Sequence, residues 1–224
     1  MNADQLRTLL DDALTTLEAS RDELRDLDAA IGDGDLGITV SGGAFAVREK
    51  LRQLGSDADL ALVLRTAAKS FAAANPSTMS ALVASALLAA ARPVADKSEL
   101  DRAGALAMLE AAVEAIQSRG GAQLGDKTIV DALVPSLQAL RQSGPDPREA
   151  LGAMADAARL AVAETALLQS QRGRAAWVGA RTIGHADGGA TAYLRLLEAL
   201  LRARSAELPA ELPVELPAEL AAES

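Results

Sequence analysis

Three aspartates, Asp28, Asp33 and Asp35, lie within eight residues of one another in a stretch dotted with glycines at 32, 34 and 37. Carboxylates crowded this closely repel one another unless a hard divalent cation sits among them, and oxygen donors suit Mg²⁺ or Ca²⁺. The glycines permit turns that point successive carboxylates inward, and they leave room for a ligand beside the main chain. Mg²⁺ held by a few carboxylates completes its shell with phosphate oxygens and water, so a nucleotide is its natural companion.

Three rival readings of the loop are weaker. Gly32-x-Gly34-x-x-Gly37 matches the dinucleotide fingerprint, but no β-branched or aromatic run precedes it, and its variable positions carry carboxylates that a pyrophosphate would avoid. A calcium loop opening at Asp33 needs an oxygen ligand where Gly37 stands and a glutamate where Ala44 stands. An acidic turn that merely caps the following helix needs one aspartate, not three.

Other segments carry chemistry with open alternatives. Gly120-x-x-x-x-Gly125-Asp126-Lys127-Thr128 resembles a phosphate-binding P-loop with one residue too many, and no strand leads into it. Backbone amides at a helix start there suit a phosphate, and a glycine turn capped by Asp126 or Thr128 explains the same residues equally well. Ser77 and Thr78 invite the same pair of readings. Arg174 and Arg181 lie in a glycine-rich loop where a fixed guanidinium could neutralise a phosphoryl group, although a solvated arginine accounts for either alone. His185, the single histidine, reads as structural, and Trp177 and Tyr193 as core or loop anchors rather than stacking platforms.

These residues must be positioned by helices. The chain of 224 residues is 50% hydrophobic but only 2% aromatic, with alanine and leucine dominant, a composition that suits closely packed helices rather than sheets. The expected architecture is all-α, an eight-helix antiparallel up-and-down bundle with the nucleotide-metal site at one end. Leu6, Leu9, Leu10, Leu14, Leu17, Leu24 and Leu27 predict a first helix over 3–29 that delivers Asp28. Further helices are expected at 38–54, at 57–73 behind a Ser56-Asp57 cap, and behind Asn75-Pro76 to about 92. The rest are expected from a Ser98 cap to about 118, from 126–128 to about 143, at 147–169 and at 189–204. The loops at 31–37, 74–78, 119–128 and 173–188 then fall on alternate connections, at one shared end. Residues 1–204 form one domain in this reading, and 205–224 a disordered or polyproline-like tail with its Glu-Leu-Pro repeat.

The formal net charge of −9 speaks against nucleic acid or an anionic membrane as partner, and the absence of cysteine removes thiolate chemistry and disulfides. Residues 1–7 lack the pattern of a signal peptide, and apolar stretches such as Ala81 to Ala91 are too short to span a bilayer. A cytoplasmic protein is expected.

Four segments together, 27–37, 75–78, 119–128 and 173–190, resemble the nucleotide-binding L subunit of dihydroxyacetone kinases, in order and spacing over roughly residues 1–204. The resemblance implies an eight-helix barrel holding a nucleotide and two Mg²⁺ ions at one end. It places Asp28, Asp33 and Asp35 on the metal ligands. Leu36, Gly37, Ile38, Thr39, Ser77, Thr78, Gly120, Ile129, Arg174, Asp187, Gly188 and Gly189 fall on positions lining ADP or ATP, with Arg174 also the catalytic cation. It implies phosphoryl transfer to a ketose on a separate sugar-binding subunit, from ATP or from a phosphohistidine donor protein through bound ADP; a homodimer is compatible with it. The family usually carries histidine where Leu36 stands, often asparagine where Thr39 stands, a glycine pair in the 75–78 turn and proline where Gly188 stands. These departures leave room for another small ketose, or for a Mg-nucleotide-binding regulatory module without turnover.

Overall fold

The computed structural model describes residues 1–206. Its first helix, α1 (Ala3–Glu18), opens on a reciprocal cap in which the Asn2 side chain accepts from the Gln5 amide and the Gln5 side chain accepts from the Asn2 amide. The single helix expected over 3–29 is two helices, because α1 stops at Glu18 and α2 (Arg21–Ile31) starts after Ser20. Between Leu17 and Leu24 no large apolar side chain faces the core, so nothing ties a continuous helix down there. Asp22 and Glu23 favour a new N-terminus through its positive dipole end.

The remaining α-helices are α3 (Leu36–Leu51), α4 (Leu60–Ala74), α5 (Thr78–Ala90), α6 (Arg102–Gly120), α7 (Val130–Gln142), α8 (Pro147–Thr165) and α9 (Gly188–Ala206). Two caps differ from expectation. Asp59, not Ser56-Asp57, caps α4 by accepting from the Leu62 amide at 2.5 Å. Asp101, not Ser98, caps α6 by accepting from the Gly104 amide at 2.6 Å. In both, the aspartate stands immediately before the first helical residue, where a full negative charge gains from the helix dipole. Short 3₁₀ turns cover Arg92–Val94 and Arg174–Thr182, the latter interrupted at Gly179.

Each helix from α3 to α9 packs on the next, and α1 and α2 both lie against α3 and α9, so the row closes into a ring. With the bent α1–α2 pair as one wall, the ring has eight walls, the all-α architecture expected, and no strand occurs among the described residues. Buried alanines such as Ala44, Ala61, Ala132, Ala155 and Ala158 let neighbouring helices approach closely. The Arg48 guanidinium ties α3 to α1, reaching Glu18 at 2.6 Å and Asp11 at 3.3 Å. Arg102 binds the Leu140 carbonyl in the last turn of α7 (2.7 Å) and the Gly144 carbonyl just beyond it (2.8 Å).

Alternation puts the C-termini of α2, α4, α6 and α8 and the N-termini of α3, α5, α7 and α9 at one end of the ring. Among the described residues no helix is long and apolar enough to cross a membrane. α9 continues through Ala206, so 205–206 are helical rather than tail, and the remainder of the expected tail, 207–224, lies outside the described residues.

Candidate functional site

The α2–α3 loop gathers the three aspartates. Asp28 sits in the last turn of α2, Asp33 in the loop and Asp35 immediately before α3, and one carboxylate oxygen from each lies within 4.8 Å of the others. Gly34 adopts φ +76°, a left-handed turn that glycine makes at no steric cost, and it reverses the chain between Asp33 and Asp35. The Leu36 amide donates to Asp28 Oδ2 at 3.3 Å and fixes that carboxylate against the start of α3. A side chain at Gly32 would strike Asp28 Oδ1, so the loop closes around this oxygen.

Arg174, at the start of the 3₁₀ segment, pairs with Asp33 and reaches Asp35 at 3.3 Å. One guanidinium against three carboxylates leaves negative charge in excess. Partial burial and the neighbouring Asp28 charge hold the Asp35 carboxyl above its ordinary value. An all-oxygen, net negative cluster of this span fits a hard divalent cation.

The neighbouring predicted residues divide into two groups. Leu36, Ile129, Asp187, Gly188 and Gly189 converge: a Cβ on Gly188 would lie 2.5 Å from Leu36 Cδ2, and one on Gly189 would lie 3.5 Å from Ile129 Cβ. Two positions that departed from the family pattern, Leu36 and Gly188, are therefore neighbours. Asp187 caps α9, accepting from the Ala190 amide at 2.7 Å while its own amide donates to Thr165 Oγ1 at 2.9 Å. Burial and the Asp131 charge push its carboxyl up to about 6, against the lowering effects of the Ala190 amide and Lys127.

In the second group the structure shows local packing and capping contacts, with Ile38 apart. Gly37 and Thr39 are buried in α3, and Gly37 faces the α2 backbone at Arg21 and Arg25. Ile38 is exposed. Ser77 Oγ caps α5 by accepting from the Ser80 amide at 3.1 Å, and Thr78 is the first residue of that helix. Gly120 is the last residue of α6 rather than part of the glycine loop, which starts at the left-handed Gly121. Arg181 and His185 are exposed. Trp177 is 87% exposed and anchors no core, whereas Tyr193 is buried as expected.

Two residues of this end were missed. Asp126 Oδ2 accepts from the Gln123 amide at 3.0 Å and Thr128 Oγ1 from the Val130 amide at 3.2 Å, the capping expected of them, and Asp131 adds to it: its two oxygens accept from the Gly125 amide (2.6 Å) and the Thr128 amide (2.7 Å) and shape the glycine turn. Its signal was available, as an acidic residue in the first turn of α7. Buried Lys127 is the other; only its place inside the motif pointed to it.

A ring of helices presenting a carboxylate cluster beside four helix N-termini defines an all-α protein with one end whose chemistry suits a cation and, at the dipole ends, an anion. The chain belongs to the DAK2 domain family, whose pattern matches residues 30–202. It is 33% identical over 196 residues to the PEP-dependent dihydroxyacetone kinase 2 ADP-binding subunit DhaL of Listeria innocua, covering 86% of this chain and 91% of that one. It is 36% identical over 184 residues to the L-erythrulose 1-kinase of Mycolicibacterium smegmatis, covering 80% of this chain but 32% of that protein. The solved dihydroxyacetone kinase of C. freundii in complex with AMP-PNP and Mg²⁺ shares the fold, with a TM-score of 0.70 at 22% identity over 90% of this chain and 34% of that one.

Proposed function

We propose that this chain is the nucleotide-holding phosphotransfer subunit of a kinase for dihydroxyacetone or a related small ketose. The observation that carries the reading is the Asp28–Asp33–Asp35 cluster met by Arg174 at the end of the ring where four helix N-termini gather. The relatives' names supply the substrate class: an ADP-binding subunit on one side and a small-ketose kinase on the other.

The three aspartates would hold Mg²⁺, two ions by family resemblance, which supplies charge neutralisation for a di- or triphosphate. Asp28, fixed by the Leu36 amide, supplies a ligand oxygen whose position does not depend on the nucleotide. Arg174 lies on the same face and provides the cation for the transferring group, as phosphoryl transfer asks chiefly for alignment and charge compensation. Leu36, Ile129 and the Asp187–Gly189 edge form the adjoining wall for the nucleotide, with Ser77, Thr78 and Gly120 further round the same end. The Asp33 and Asp35 side chains are 42% and 50% exposed, so the reacting end faces outward, toward a ketose held on a separate sugar-binding subunit. The phosphoryl group comes from ATP directly, or from a phosphohistidine protein by way of retained ADP.

The test mixes the purified chain with a sugar-binding kinase subunit and dihydroxyacetone, and compares ATP with a phosphohistidine donor. Product is expected with one donor, and Asp33→Ala should abolish both turnover and Mg²⁺-dependent nucleotide binding while the helical circular dichroism persists. Nucleotide affinity that is unchanged in Asp33→Ala across a Mg²⁺ titration contradicts the reading.

A further inference from the structure

Lys127 is 2% exposed and sits on left-handed backbone at φ +59°. A lysine carried into the interior costs several kcal/mol unless its donors are satisfied and its charge compensated. Here the ammonium donates to the Leu168 carbonyl at 2.9 Å and to the Thr182 carbonyl, and the Asp187 charge favours its ionised form. Desolvation depresses the lysine pKa, and Asp187 opposes that shift. The two carbonyls bracket one stretch of chain: Leu168 precedes it, Thr182 ends it, and Arg174 lies between.

The flanking contacts point the same way. The Gln171 amide donates to the Asp126 carbonyl at 3.0 Å, and Arg172 Nε reaches Asp126 Oδ2 at 2.8 Å. The Ser170 amide donates to Thr182 Oγ1 at 3.0 Å, and the Gly184 amide to the Ala166 carbonyl at 2.7 Å. The Arg174 loop thus closes at its base, and Lys127 reaches into that base from the glycine turn that Asp131 shapes.

We infer that Lys127 is a positioning residue: its ammonium clasps both ends of the 168–182 loop, so that Arg174 faces Asp33 and Asp35 and the Asp187–Gly189 edge stays against the glycine turn. The nucleotide consequence rests on the function proposed above, whereas the mechanical one does not. Trp177, the chain's single tryptophan, lies inside the clasped loop and reports on its motion.

The experiment compares Lys127→Met and Lys127→Arg with the parent chain. In Lys127→Met, amide exchange over 169–184 should quicken about tenfold while amides of α3 and α4 keep their rates, and the fluorescence anisotropy of Trp177 should fall. The dissociation constant for MgADP should rise about tenfold, and Lys127→Arg, which restores two donors, should return all three readouts to within about threefold of the parent. Unchanged exchange and anisotropy in Lys127→Met overturn the clasp, as does a uniform quickening across every helix, which would mark a general loss of stability. If the parent chain itself binds no MgADP, the nucleotide reading falls, and exchange with anisotropy still decides the clasp. Should Lys127→Met not fold, Lys127→Gln takes its place with the same expectations; failure of both to fold assigns Lys127 to the core and overturns the proposal.

Discussion

Gly37→Ala is the substitution whose outcome the structure fixes most tightly. Gly37 lies in the first turn of α3 where α2 crosses, and a Cβ there would collide with the Arg21 carbonyl oxygen and come within 2.9 Å of the Arg25 amide nitrogen. Both obstacles are backbone, so no rotamer change relieves them, and α2 must move away from α3. Overpacking of this kind costs about 3 kcal/mol at the upper end, and replacing a helical glycine returns about 0.5–1 kcal/mol. The net loss of about 2 kcal/mol should lower the melting temperature by about 4–8 °C in a domain of this size. Since α2 carries Asp28 and α3 follows Asp35, the same displacement should spread the carboxylates and weaken Mn²⁺ binding, read by electron paramagnetic resonance. Gly42→Ala is the matched control: it lies in the same helix with nothing within 4 Å of the added carbon, so the change should stabilise by about 0.5–1 kcal/mol. Thermal melts at 222 nm should move in opposite directions, and a Gly37→Ala melt at or above that of Gly42→Ala refutes the close-crossing argument.

Asp131→Ala should cost roughly 3 kcal/mol in urea denaturation, because two amides lose a charged acceptor, and Asp131→Asn, which keeps one acceptor, should cost clearly less. Equal losses in the two variants would show that the pair of hydrogen bonds is not what matters. Asp187 yields a pH prediction. Its carboxyl is raised to about 6 in the folded chain, so the folded state holds this proton more tightly than the unfolded state. The stability it contributes is full below about pH 4, the ordinary aspartate range, and is lost as pH rises through about 6. Asp187→Asn keeps the cap acceptor and removes the charge, so the melting temperature of the parent minus that of the variant should fall between pH 4 and pH 7. A difference that stays flat over that interval contradicts the assignment.

Helix existence was legible because leucine and alanine recur at three-and-four spacing, and that signal comes from burial, which the structure shares. Boundaries were less so. Ser56 and Ser98 looked like caps, but Asp59 and Asp101 stand closer to the first apolar turn and carry a charge. The break at Ala19–Ser20 was missed, although Ser20 with Glu23 three residues later spells a helix start and the leucine stripe lapses there. At the site, the aspartates were found because their chemistry is local to one loop. The neighbours divide differently: Leu36, Ile129 and Gly188–Gly189 meet across the ring, while Gly37 and Thr39 face protein instead. Lys127 and Asp131 escaped notice because their partners, Leu168, Thr182 and the Gly125 amide, are backbone groups that carry no residue-type signature.

The closed ring has a kinetic corollary. Helices α3 to α9 each touch the next in sequence, which is short-range pairing of the kind that forms quickly, whereas the seam of α1 and α2 with α9 joins opposite ends of the chain. The Arg174–Asp35 pair spans 139 residues and lies across that seam. A nascent or truncated polypeptide can therefore be largely helical and still lack the juxtaposition of arginine with carboxylate, which arises when α9 and the segment before it dock on α1 and α2.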